Sequence, residues 1–141
     1  WTEEEFFERV GGDEAGFHRT VFQWATQGCH VTFGAGRSVG NFRVQFDPES
    51  RTVFECTTDG WVWVYFSHIR RDFPELDDDE TLRRLKQSLE GATGLSISDD
   101  RLDTHAGLPV NVLSSPERTA AFLDWVEALR ARDARPDTND E

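Results

Sequence analysis

The sequence has no methionine, one lysine (Lys86), one tyrosine (Tyr65), two cysteines and five prolines. It also has no apolar run long enough to cross a bilayer and no signal-peptide pattern, so a membrane partner is not expected and a cytoplasmic location is. A chain without methionine that starts at Trp1 reads as a segment of a longer product. Two cysteines do not make a disulfide framework. Cys29 and Cys56 both sit in apolar runs and read as buried free thiols, with a bridge between neighbouring strands as the alternative. The shortage of lysine also removes two kinds of site. The glycine-rich stretch Gly34–Gly40 lacks the adjacent lysine and hydroxyl pair of a phosphate-binding loop, and no strand-borne pair of acids is followed by the lysine of a restriction-type nuclease core.

What is abundant is negative charge. There are 27 acidic and 15 basic residues, for a formal net charge of -12. Such a surface repels a phosphate backbone and makes duplex nucleic acid a poor partner unless the arginines cluster. A high-GC genome or a salt-rich cytoplasm produces this arginine-over-lysine, carboxylate-rich composition, and in the second case salt screens the repulsion. At 141 residues the chain has the size of one domain. The expected layout is a single domain over 1–131 and a flexible acidic tail over 132–141.

Local patterns define the elements. Thr2 followed by Glu5 is a capping box that opens a short helix carrying Phe6, Phe7 and Val10. Asp13 reads as the cap of a second helix with Phe17, Val21, Trp24 and Ala25 at helical spacing. The period then changes to two: Cys29, Val31 and Phe33, then Phe42, Val44 and Phe46, alternate with polar residues. Strands follow over 52–57 and 61–66, joined by the hairpin pair Asp59-Gly60. Asp77 to Glu80 starts a helix with Leu82, Leu85 and Leu89 on one side, ended by Gly91 and Gly94. Residues 95–115 read as irregular, with short extended pieces at 95–97 and 108–113, and Ser115-Pro116-Glu117 opens a last helix. The predicted fold is therefore α+β: a four-stranded antiparallel β-meander with an N-terminal helix pair and C-terminal helices packed mainly on one face.

Several of these pieces also carry a likeness. The opening Trp1-Thr2-Glu3-Glu4, the Phe6-Phe7 pair, the glycine-rich turn before Gly40-Asn41-Phe42, the Asp59-Gly60-Trp61-Val62 hairpin and Asp124-Trp125-Val126 resemble an uncharacterised prokaryotic domain. The resemblance implies no activity and no site; it implies at most a nucleic-acid-related setting.

The most informative stretch is Trp61-Val62-Trp63-Val64-Tyr65-Phe66, apolar on both faces of a strand. If Val62, Val64 and Phe66 face the helices, Trp61, Trp63 and Tyr65 share the opposite face with Asn41, Arg43 and Gln45. With Arg37 at the tip of the glycine-rich hairpin, the candidate binding residues are Arg37, Asn41, Arg43, Trp61, Trp63 and Tyr65. The leading expectation is a non-catalytic interaction module that holds a protein partner or an adjacent domain through this aromatic face. The alternative is a nucleic-acid-binding accessory module using the same face with Arg37, Arg70 and Arg71. A third reading is a small metal-dependent hydrolase around Asp99, Asp103 and His105. No cofactor or metal is expected: Cys29 and His30 are adjacent and point to opposite faces, and the four histidines lack paired-ligand spacing.

Overall fold

The computed structural model describes residues 1–10, 12–36 and 38–134. Helix α1 (Glu3–Arg9) carries the expected capping box, with the Thr2 hydroxyl accepting from the Glu5 N–H and the Glu5 carboxylate accepting from the Thr2 N–H. Helix α2 covers Gly12–Thr26, so Asp13 falls inside its first turn rather than capping it. Strands β1 (His30–Phe33), β2 (Asn41–Gln45), β3 (Phe54–Thr57) and β4 (Trp61–Val64) follow as antiparallel neighbours. The glycine-rich stretch is the β1–β2 connection.

The strand over 61–66 ends at Val64: Tyr65 is the N-cap residue of helix α3 (Phe66–Asp72), and Phe66 is buried at its start. β3 starts at Phe54, the partner of Val64; beyond it the Tyr65 N–H still donates to the Val53 carbonyl at 2.9 Å, but the Tyr65 carbonyl already accepts from the Ile69 N–H at 3.0 Å as the first bond of the helix. The sheet also has five strands rather than four. β5 (Ala106–Pro109), inside the segment predicted as irregular, pairs antiparallel with β4 and closes the order β1-β2-β3-β4-β5. Helix α4 (Asp79–Thr93) is capped by Asp78, whose carboxylate accepts from the Thr81 N–H. Short α5 (Val110–Leu113) and long α6 (Pro116–Ala134) complete the chain, with 3-10 turns at Pro74–Leu76 and Asp99–Asp103. Residues 135–141, most of the expected tail, lie outside the described residues.

Gly91 does not end α4; Gly94 does, in the left-handed region at φ 76°. A Cβ there would also meet the Arg118 guanidinium at 2.6 Å. Gly94→Ala is expected to cost about 1 kcal/mol, read as a lowered urea midpoint with an unchanged slope.

The core lies against one face of the sheet. Register puts Phe42 opposite Phe33 and Cys56, Phe54 opposite Val64, and Val62 opposite Leu108, all on that side. Phe6 of α1 packs on Phe42 with ring centroids 5.2 Å apart, and Phe122 of α6 on Phe54 at 5.3 Å. Cys29 and Cys56 are both free, and burial pushes both thiols up from their ordinary range. They are inert packing groups rather than nucleophiles.

Candidate functional site

The opposite face follows from the same register. A row crosses the whole sheet: Thr32, Arg43, Glu55, Trp63 and Gly107, each the cross-strand partner of the next. Asn41 and Trp61 lie two residues along β2 and β4 and therefore share this face. Five of the six sequence candidates thus come together on one side of the molecule, although Tyr65 does so from a helix cap. The sixth, Arg37, lies outside the described residues.

Neighbouring side chains divide these residues into two groups. Tyr65 and Asn41 are occupied. The Tyr65 hydroxyl donates to Glu55 Oε1, and Asn41 Nδ2 donates to Glu55 Oε2 at 2.6 Å. Glu55 is only 9% exposed, and these two donors hold its carboxylate on the face, with Arg43 as its cross-strand neighbour. Burial, then the bond to Glu55, push the Tyr65 hydroxyl well above its ordinary range, while Arg43 pulls it down. Tyr65 is therefore a fixed neutral donor. Asn41 Oδ1 is buried with no hydrogen-bond partner among the described residues, and it sits where a Cβ on Gly34 would be, at 2.1 Å.

Trp61, Trp63 and Arg43 form the second, more open group. Trp61 stacks on Trp63 with centroids 5.6 Å apart and planes 26° apart, and Trp61 is 37% exposed. Trp63 lies over Gly107, whose missing side chain makes room for the ring: a Cβ would meet it at 2.6 Å. His105 meets Trp63 edge-on at 5.3 Å and Tyr65 at 5.3 Å, and Tyr65 stacks flat on His68 at 4.9 Å. The result is one continuous ladder of rings, Trp61–Trp63–His105–Tyr65–His68. His68 Nδ1 donates to the Thr52 carbonyl at 2.8 Å, which pins its outer end. Arg43 is exposed and makes no ion pair among the described residues.

Sequence reading missed Glu55 as the centre of this face, His68 and His105 as ladder members, and the wall beyond β5. Past the tryptophans is a cleft of about 400 Å³ lined by Trp61, Trp63, Ser96, Ser98, Arg101 and Gly107, among others. Hollows of similar size along α1 are bordered mainly by its glutamates and lie away from this face.

The residues of the hydrolase reading are dispersed. Asp99 pairs with Lys86 at 2.9 Å and Arg83 at 3.3 Å, Asp103 pairs with Arg70 at 3.2 Å, and His105 is in the ladder. Among the described residues, no group of three His, Cys, Asp or Glu side chains is placed to hold a metal ion. Arg70 is taken up as well, by Asp77, Asp79 and Asp103 together.

No family model, curated protein or solved structure matches this chain. The functional reading therefore rests on the geometry of the face itself.

Proposed function

We propose that this chain is a non-catalytic recognition module that holds a protein partner or a neighbouring domain across the outer face of its sheet. The observation that carries the reading is the stacked Trp61–Trp63 pair with its exposed edge, on the same sheet face as an exposed Arg43 that makes no ion pair among the described residues. Helices α1 and α6 put their rings on the inner face, which leaves this pair without a helix of its own to cover it. Tryptophan and arginine are the residues most enriched where partners bind, because a rigid ring buries much area at little entropic cost.

Charge favours protein over nucleic acid. The chain carries -12, and Arg70, one of the arginines a phosphate backbone would need, already faces three carboxylates. The test is a photo-cross-linking amino acid in place of Arg43, expressed in the protein's natural context. Adducts to protein that vanish with Trp61→Ala, while the variant keeps its melting temperature, are expected. Adducts to nucleic acid, or binding of single-stranded oligonucleotides that weakens with added salt, would establish the nucleic-acid alternative instead. Loss of the fold in Trp61→Ala would show that the pair is core.

A further inference from the structure

We infer that the cleft beyond β5 receives an extended peptide segment of the partner as a sixth strand, with an acidic side chain of that segment on Arg101. The inference rests on the reading of the outer face as protein-binding and specifies how the partner is held.

The first support is the phase of the ladder. The Val110 N–H donates to the Gly60 carbonyl at 2.9 Å, and the β4–β5 register continues that pairing through Val62 with Leu108 and Val64 with Ala106. In an antiparallel pair the hydrogen-bonding residues alternate. Leu108 and Ala106 therefore turn their main-chain groups towards β4, and Gly107 and Pro109 turn theirs outward. Among the described residues β5 is the edge strand of the sheet. Its free edge presents the Gly107 N–H, the Gly107 carbonyl and the Pro109 carbonyl. Proline supplies no N–H, which limits how far any added strand can pair and blunts uncontrolled edge association.

The second support is that this edge opens onto a built cleft rather than bare solvent. Trp61 and Trp63 border it on the β4 side, and Ser96 and Ser98 stand across from them. The far wall is anchored: the Ile97 N–H donates to Glu90 Oε2 at 2.7 Å and the Ile97 carbonyl accepts from Lys86 Nζ at 2.7 Å. Both main-chain groups of Ile97 are thus committed to α4, which holds the wall in place before anything binds. At about 400 Å³ the cleft is within the size range of ligand sites and takes a few residues of extended chain. Strand addition works in this way: main-chain bonds at a free edge supply affinity, and alternate side chains fall on rings or into the cleft and supply selection.

The third support is charge. On a chain of net charge -12, the charged side chain of this cleft is a cation, Arg101, exposed and without an ion pair among the described residues. Of the acidic residues around it, Asp99 is engaged with Lys86 and Asp103 with Arg70, while the exposed Asp100 makes no ion pair with Arg101 among the described residues. A carboxylate on the incoming strand is the complement the site lacks.

The test is selection of a phage-displayed library of random linear peptides on the whole chain, followed by titration of the enriched synthetic peptides with amide shifts and tryptophan fluorescence. The expected peptides share one Asp or Glu within an extended, β-branched pattern, shift the Gly107 amide and protect it from exchange. Arg101→Gln should weaken them by at least about fivefold, and N-methylation of the peptide amide facing Gly107 by about tenfold or more. Ser96→Trp, which fills the cleft from an exposed position, should abolish binding and leave the melting temperature unchanged. Peptides that shift Arg43 and Trp61 but leave Gly107 unmoved would overturn strand addition and leave the outer-face reading intact. Peptides that move neither region would overturn both. If no peptide is enriched, strand addition fails, and cross-linking at position 43 still decides the outer face.

Discussion

Phe42→Ala is expected to lower the unfolding free energy by about 3–5 kcal/mol, the largest single-residue effect on the sheet. Phe42 is fully buried, and its ring meets those of Phe6 at 5.2 Å, Phe22 at 5.4 Å, His18 at 6.1 Å and Phe33 at 6.2 Å. These neighbours come from α1, α2 and β1, so the cavity left by truncation would face three elements at once, and none can collapse into it without leaving the others. Against a typical total of about 5–15 kcal/mol, such a loss leaves a domain that is barely folded or unfolded at ambient temperature. Urea unfolding followed by tryptophan fluorescence measures it. A loss under about 1 kcal/mol would mean that the aromatic cluster can repack, contrary to its shared contacts. Phe42→Leu, which keeps most of the volume, should cost clearly less.

The second large effect is a dependence on acid. His18 is fully buried among Phe6, Phe17 and Phe42, with Nε2 donating to the Thr57 carbonyl at 2.9 Å and Nδ1 buried without a hydrogen-bond partner among the described residues. Burial lowers its pKa from 6.5 to about 4, against smaller upward pulls from the Thr57 carbonyl and the Asp59 carboxylate. In the unfolded chain the imidazole takes its proton near its ordinary value; in the fold it resists until about pH 4. The unfolded state therefore binds more protons between these limits, and stability falls as pH drops from about 6.5 to about 4. This contribution alone is on the order of 3 kcal/mol. The difference between wild type and His18→Gln in unfolding free energy, followed across that range, isolates it from the many surface carboxylates. A flat difference would show that His18 is protonated in the fold, and the His18 ring resonances in an NMR titration give the folded value directly.

These two residues show which parts of the molecule the sequence made readable. Alternation of period two placed Phe42 and Val44 on the inner face and Asn41 and Arg43 on the outer one, because side-chain direction in a strand follows from local backbone geometry. The Thr2 capping box, a helix start within Asp77–Glu80 and the stop at Gly94 were readable because each is decided within one helical turn, although Asp13 and Gly91, read the same way, neither cap nor end their helices. What was missed depends on partners distant in sequence. Ala106-Gly107-Leu108-Pro109 has poor strand propensity and becomes β5 only because β4 offers it a ladder. Tyr65 has a strand-former's side chain and its N–H still bonds the Val53 carbonyl, yet its own carbonyl accepts from Ile69 and it stands at the N-cap of α3. Glu55 looked like an isolated acid within a strand. That it gathers Tyr65 from α3's cap and Asn41 from β2 follows from tertiary proximity, which no local pattern encodes.

Lys86, the sole lysine, is 5% exposed, and its ammonium is held by the Ile97 carbonyl at 2.7 Å, Asp99 at 2.9 Å and Glu90 at 3.4 Å. The bond to Asp99 raises its pKa, so the amine is both sheltered and firmly protonated. Reagents, cross-linkers and transferases that attack lysine amines thus find no exposed lysine among the described residues. Any label that does reach Lys86 in the native protein records a moment when the wall formed by α4 and Ile97 has come apart, so the labelling rate is a clock for that opening.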